Sequence, residues 1–318
     1  MQISTLVIGL GNIGMGYDLA RSDSKSKLSH AGAVNNSCNF KLAAGVDSDS
    51  NVRKIFEKNF ISRSFANISD ALTSTSPELA IISTPTQVRL SLVEELLGSK
   101  TLRVILIEKP LAKNVEEASR IIQLCQENGT KLFVNYMRNS SQGTLNFKEW
   151  LDKQDISGSF SGNIWYQGGL LNNGSHFVNL LEFLLGPADK FVKFNPQDFD
   201  DSDPDNPHGI LLFPNGSVGV TPIECGGAKV NGLRIFFKDF SFELSREIGG
   251  FIVRNCIDDT IFKNNSILET MAQEFPIEIG ELQTDVLNQI NNYFSGKKFA
   301  VCSGEHALQT ISILNPIT

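Results

Sequence analysis

Short apolar runs separated by helical patterns fill the first 135 residues. Leu79-Ala80-Ile81-Ile82 and Val104-Ile105-Leu106-Ile107 are continuous apolar runs, not alternating ones, which predicts strands buried on both faces, and Thr5-Leu6-Val7-Ile8, residues 40–46 and residues 131–135 read as further strands. Helical spacing lies between them. A helix is predicted over residues 50–59, and Ser69-Asp70-Ala71-Leu72 opens a short one. Val88, Leu92, Val93 and Leu96 make one apolar face behind a Thr86 cap and ahead of a Gly98 stop. Val115, Ala118, Ile121, Ile122 and Cys125 make another, behind the capping-box pair Asn114 and Glu117 and ahead of Asn128-Gly129. Strands alternating with amphipathic helices predict an α/β class with a doubly wound parallel sheet over residues 1–135.

After Asn135 the pattern changes, and strand signals follow one another. Strands are predicted over residues 160–166, 209–213, 217–221, 233–237 and 240–244. Pro214-Asn215-Gly216 marks a turn and Lys238-Asp239 a hairpin loop. Helices are expected at residues 175–185 and 281–294, the latter stopped by Gly296. Residues 136–318 therefore predict a second α/β domain with a largely antiparallel, open sheet. The acidic, proline-broken segment 198–205 reads as a solvated loop, since a calcium loop needs a defined ligand pattern.

Composition narrows the class without naming an activity. At 318 residues, 41% hydrophobic and 20% charged, the chain is an ordinary globular one of about two domains. A net charge of -7 with no basic run disfavours nucleic acid and anionic membrane surfaces. No apolar run approaches a membrane span, and the opening Met1-Gln2-Ile3-Ser4 lacks the basic region of a secretory leader. The five cysteines are scattered and never paired as C-x-x-C, so reduced thiols and a cytoplasmic location are expected. No metal is expected, because none of the four histidines has a second ligand at zinc-site spacing.

The chemistry begins where the first strand ends. Gly9-Leu10-Gly11-Asn12-Ile13-Gly14 is a G-x-G-x-x-G placed directly after that strand. Gly9 permits a tight turn, Gly11 lets backbone approach a pyrophosphate, and Gly14 lets the next helix pack close. Helix N-terminal amides then face the phosphates, so Asn12 and Ile13 join the cofactor candidates. Asp47 closes the second strand, where an acid hydrogen-bonds a ribose 2′-hydroxyl and repels a 2′-phosphate. It falls late in the chain because the polar segment 17–27 is inserted, and neither Ser48 nor Asp49 supplies an arginine. NAD is therefore favoured over NADP. His30 reads either as lining the cofactor cleft or as a partly exposed helix-end residue.

Two further stretches stand out. In Glu108-Lys109-Pro110, proline cannot continue a central strand, so Lys109 falls at the carboxyl edge of the sheet, where open α/β folds bind ligands. A solvated strand end reads the same way. In Gly168-Gly169-Leu170-Leu171-Asn172-Asn173-Gly174-Ser175-His176, a glycine-rich turn leads into a helix. With a helix starting near Asn172, Asn172, His176 and Asn179 share a face. A helix-start histidine bonded to backbone is the plain alternative.

These stretches, with Ser83-Thr84-Pro85 and the closing Gly304-Glu305-His306-Ala307-Leu308, resemble the Gfo/Idh/MocA oxidoreductase family over essentially the whole chain. The continuation Gly14-Met15-Gly16-Tyr17-Asp18 looks like members found in surface-polysaccharide pathways. The resemblance implies a Rossmann domain and an open-sheet domain, a last helix that returns to the N-terminal domain, and a homodimer or homotetramer. It implies hydride transfer between nicotinamide and a hydroxyl or keto carbon of a free or nucleotide-linked sugar. Lys109 and His176 take the catalytic roles. Asn172, Asn173, Asn179 and Tyr136 are substrate-binding candidates. Gly9, Gly11, Asn12, Ile13, Gly14, Asp47, Ser83, Thr84, Pro85, Glu108 and Lys109 line the cofactor, Glu108 orienting the lysine more than doing chemistry. Asn172 and Asn179 stand where the family has carboxylates, and an amide cannot take a proton. That substitution leaves room for a non-catalytic NAD-binding sensor, and the fold also serves reductases of non-sugar substrates.

Overall fold

Ile3–Ile8 (β1) is a central strand of a parallel sheet in the computed structural model, which describes residues 2–19, 27–194, 205–224, 226–228 and 230–314. Around it stand Phe40–Val46 (β2), Arg63–Phe65 (β3), Leu79–Ile82 (β4), Val104–Ile107 (β5) and Lys131–Val134 (β6), in the order β3-β2-β1-β4-β5-β6. Every neighbouring pair is parallel. β4 and β5 are buried at all positions, as continuous apolar runs require in a sheet covered on both faces. The chain steps outward from β1 to β2 and β3, then returns to β4 on the other side of β1. The switch point lies at the carboxyl ends of β1 and β4, where doubly wound sheets bind ligands.

The helix Val115–Glu127 forms as its spacing predicts: Asn114 Oδ1 accepts from the Glu117 amide at 2.9 Å, and Ala118, Ile121, Ile122 and Cys125 are buried. The helix expected after Pro85 starts late. Thr86–Val88 is a tight turn without a side-chain cap, and the helix proper is Arg89–Leu96. Val93 and Leu96 are buried as predicted, but Val88 stays 44% exposed and Arg89 takes a buried place on that face.

The chain divides into two compact units, residues 1–140 with 280–309 and residues 141–279 with 310–318. The helix Leu282–Phe294 belongs to the first. Its Val286, Leu287 and Ile290 share an apolar cluster with β1 and β2, and Tyr293 meets Phe133 edge-on at 5.5 Å.

The second unit holds a nine-stranded sheet. Its strands are Phe160–Tyr166 (β7), Lys190–Lys193 (β8), Gly209–Phe213 (β9), Gly216–Pro222 (β10), Gly232–Phe236 (β11), Phe240–Ser245 (β12), Gly250–Asp258 (β13), Ser266–Leu268 (β14) and Gln273–Pro276 (β15). They run β14-β13-β12-β11-β7-β10-β9-β8, with β15 also on β13. All pairs are antiparallel except β7 with β10, so the expected sheet is mixed but mostly antiparallel. Both predicted turns close hairpins, β9 to β10 and β11 to β12. The helix Gln142–Leu151 escapes the apolar pattern because its buried face is Gly143, Thr144, Phe147 and Leu151. A Cβ on Gly143 would meet the Pro276 carbonyl oxygen at 2.0 Å, and Phe147 stacks on Phe251 at 4.1 Å. The acidic segment expected as a loop at 198–205 lies outside the described residues except for Asp205, as does most of the insertion at 17–27.

Candidate cofactor and active site

The glycine turn is built by close contacts within the first unit. Gly9 has φ of +85°, a left-handed conformation natural only to glycine, and a Cβ there would meet Thr84 Cγ2 at 2.9 Å. A Cβ on Gly14 would stand 2.1 Å from the Gly9 carbonyl oxygen. Gly11 differs, since among the described residues nothing lies within 4 Å of a Cβ placed there. Its lack of a side chain serves no packing against those residues and leaves backbone open to a ligand, which fits a dinucleotide phosphate. Gly14→Ala is therefore expected to cost about 1–3 kcal/mol of stability, because backbone cannot swing away from the added methyl. Gly11→Ala should leave the melting temperature unchanged and weaken NADH binding. Thermal melts and NADH titrations of the two variants separate the roles, and equal losses of stability would refute the distinction.

Ser83 fastens the turn to the next strand, its hydroxyl donating to the carbonyls of Ile8 at 3.0 Å and Gly9 at 2.7 Å. Asp47 lies at the same sheet edge. Its carboxylate accepts from the Leu10 amide at 2.8 Å and the Asp49 amide at 2.9 Å. Arg53, which the strand-end pattern does not reveal, reaches back one helical turn and donates to the carbonyls of Asp47 and Ser48 at 2.8 and 2.9 Å.

β5 delivers Glu108 and Lys109 to this edge. Glu108 is buried, and its Oε1 lies 2.8 Å from His30 Nε2 and accepts from Asn135 Nδ2 at 2.6 Å. The same Asn135 amide reaches Gln283 Oε1 at 3.2 Å. Burial pushes the Glu108 carboxyl up, but His30, Asn135 and the neighbouring Lys109 outweigh it and hold the group below its ordinary value. His30 is 2% exposed, so it is neither a cleft-lining nor an exposed helix-end residue but the first residue of a helix turned into this polar cluster. The contact of Glu108 with Asn135 follows from register: Ile107 pairs with Val134, which sets the two next residues side by side. Lys109 is half-buried. Burial lowers its ammonium below the usual lysine value, Glu108 raises it, and Arg138 and Arg89 lower it further. Tyr136 is 2% exposed just beyond β6.

In the second unit, Gly168 and Gly169 take φ of +76° and +93°, and Leu170–Gly174 is a wide helical turn ahead of the helix Ser175–Leu185. The wide turn breaks the helical phase, so Asn172 and Asn179 differ in environment. Asn172 is exposed and donates to the Gly168 carbonyl at 3.3 Å, and Asn173 donates to Gln167 at 2.7 Å. His176 is 8% exposed. Asn179 is fully buried and donates to Thr310 Oγ1 at 2.9 Å, which in turn donates to Glu182 at 2.6 Å. Among the described residues no helix is long and apolar enough to cross a membrane, and no three potential ligands cluster as a metal site.

A parallel sheet with a glycine turn at its switch point is the architecture of a dinucleotide-binding oxidoreductase domain. Residues 3–136 match the model of the Gfo/Idh/MocA oxidoreductase family, described as an NAD-binding Rossmann fold, and this stretch belongs to that family. No curated protein sequence matches the chain. Solved structures share its fold end to end. The WlbA dehydrogenase from Bordetella pertussis, in complex with NADH and UDP-GlcNAcA, has a TM-score of 0.71 at 16% identity, covering 100% of this chain and 95% of that one. The UDP-N-acetylglucosamine 3-dehydrogenase GnnA from Acidithiobacillus ferrooxidans has a TM-score of 0.75 at 14% identity, covering 98% and 95%. A 3-ketoreductase from Actinomadura kijaniata, in complex with TDP-benzene and NADP, has a TM-score of 0.72 at 15% identity, covering 100% and 97%. At such identities the likeness is one of fold.

Proposed function

We propose that the protein is an NAD-dependent oxidoreductase that moves a hydride between nicotinamide and a hydroxyl or keto carbon of a sugar or nucleotide-linked sugar. The observation that carries this reading is the single sheet edge on which the open Gly11 turn, the Ser83–Pro85 loop and Lys109 all lie, on the adjacent strands β1, β4 and β5. The glycine turn, Asp47 and the Ser83–Pro85 segment would hold the cofactor, which supplies the hydride acceptor or donor. Lys109, as an ammonium, polarises the carbonyl oxygen and stabilises alkoxide charge. His176 exchanges the hydroxyl proton as general acid and base. Asn172, Asn173 and Tyr136 position substrate. Solved neighbours of the fold that carry UDP- or TDP-linked molecules support the substrate class.

The test is reduced-nicotinamide absorbance with NAD and NADP against a panel of free sugars and UDP- and TDP-linked sugars. Turnover of a nucleotide sugar with preference for NAD is the expected result. Turnover confined to NADP would refute the role given to Asp47. A catalytically silent NAD-binding protein is the second reading, favoured by Asn179, whose amide is engaged inside the fold with Thr310. Stabilisation by NADH without turnover of any panel member would select it.

A further inference from the structure

Arg89 is a cation within the protein, 4% exposed, and burial pushes its guanidinium down to about 10, against the opposing pull of Glu108 and Tyr136. A buried charge persists only where hydrogen bonds replace water. Here three backbone carbonyls do so. Nε and Nη2 donate to the Thr84 carbonyl at 3.1 and 2.9 Å, and Nη1 donates to the carbonyls of Glu108 and Pro110. Glu108 and Pro110 are the residues on either side of Lys109. The guanidinium fork is planar and rigid, so one side chain fixes the Ser83–Pro85 loop against the residues on both sides of the lysine. From the other direction, His30 and Asn135 hold the Glu108 carboxylate.

We propose that Arg89 is a positioning residue for Lys109: by bridging the carbonyls of Thr84, Glu108 and Pro110 it sets where the lysine ammonium stands at the sheet edge. The inference rests on the hydride-transfer reading for what that position achieves, and it names what aims the polarising group. The charged groups around Lys109 are Glu108, Arg138 and Arg89, with His30 behind Glu108.

Full-length Arg89→Met and Arg89→Lys are compared with wild type for melting temperature, NADH binding, and labelling of Lys109 by fluorodinitrobenzene across pH, read by peptide mass spectrometry. Labelling follows the free-amine fraction and needs no substrate. In Arg89→Met the labelling midpoint should move to higher pH, because one cation fewer faces the lysine, and the limiting rate should rise severalfold. In Arg89→Lys the midpoint should stay and the limiting rate still rise, since an ammonium keeps the charge but cannot span three carbonyls. Turnover of a UDP-linked sugar should fall on the order of 10²-fold in both variants with little change in KM, the cost of misplacing a reacting group by about 1 Å. Folded variants whose limiting labelling rate equals that of wild type overturn the proposal, and so does full rescue of turnover by Arg89→Lys. If Arg89→Met does not fold, Arg89→Lys decides the matter by the same two readings. If wild type turns over no sugar, the functional reading fails while the labelling still decides the role of Arg89.

Discussion

His176→Ala is expected to lower turnover by about 10²–10⁴-fold while the fold and NADH binding survive. Reduction of a ketone or oxidation of an alcohol moves a proton as well as a hydride, and some group must carry it. The family resemblance implies carboxylates at the positions of Asn172 and Asn179, and an amide orients a hydroxyl without taking its proton. Asn179 is further removed from such work, being wholly buried and bonded to Thr310. In the proposed mechanism Lys109 stays an ammonium, which assigns the proton to His176, introduced at the start of its helix by a turn in which two glycines adopt positive φ. Steady-state kinetics on a panel substrate, with an NADH melt as the control for folding, measure the effect. An unchanged rate in a folded, NADH-binding variant removes His176 from the chemistry.

Glu108→Ala is expected to destabilise the protein by about 3–5 kcal/mol, the cost of leaving a buried polar pair without one member. His30 and Asn135 both direct nitrogen atoms at the missing carboxylate, in a buried place. Chemical denaturation of wild type and variant gives the difference. Its pH dependence carries a sign. The folded-state pKa of Glu108 lies below its ordinary value of 4.5, so its contribution is complete above that value and is lost as pH falls through the folded value. The gap in stability between wild type and Glu108→Ala should be flat near neutrality and narrow only in acid. A gap that widens in acid would mean that burial outweighs the partners of Glu108.

Much of the site was legible because it depends on local chemistry. Glycines that a turn requires, a proline that ends a strand and an asparagine that caps a helix act within a few residues, so Gly9, Gly14, Pro110 and Asn114 could be placed from spacing alone. Asn135 was legible in principle, since it follows an apolar run as Glu108 does, and neighbouring strands of equal length bring their next residues together. Arg89 was not. It shares a helix face with the buried Val93 and Leu96, where an arginine is not expected, and the three carbonyls that accept from it come from the ends of two other strands.

The sequence by itself determined the alternation of buried strands and helices, the change to antiparallel pairing after residue 135, and the glycine turn at the end of the first strand. These follow from backbone sterics and from the period of apolar positions, which each short segment carries within itself. Only the tertiary structure decided that His30 and Asn135 secure Glu108, that Gln283 joins them from a helix far along the chain, that Asn179 is engaged internally, and that Arg89 brackets Lys109. A buried polar group must find partners wherever the fold brings them, and distance along the chain says nothing about which they are.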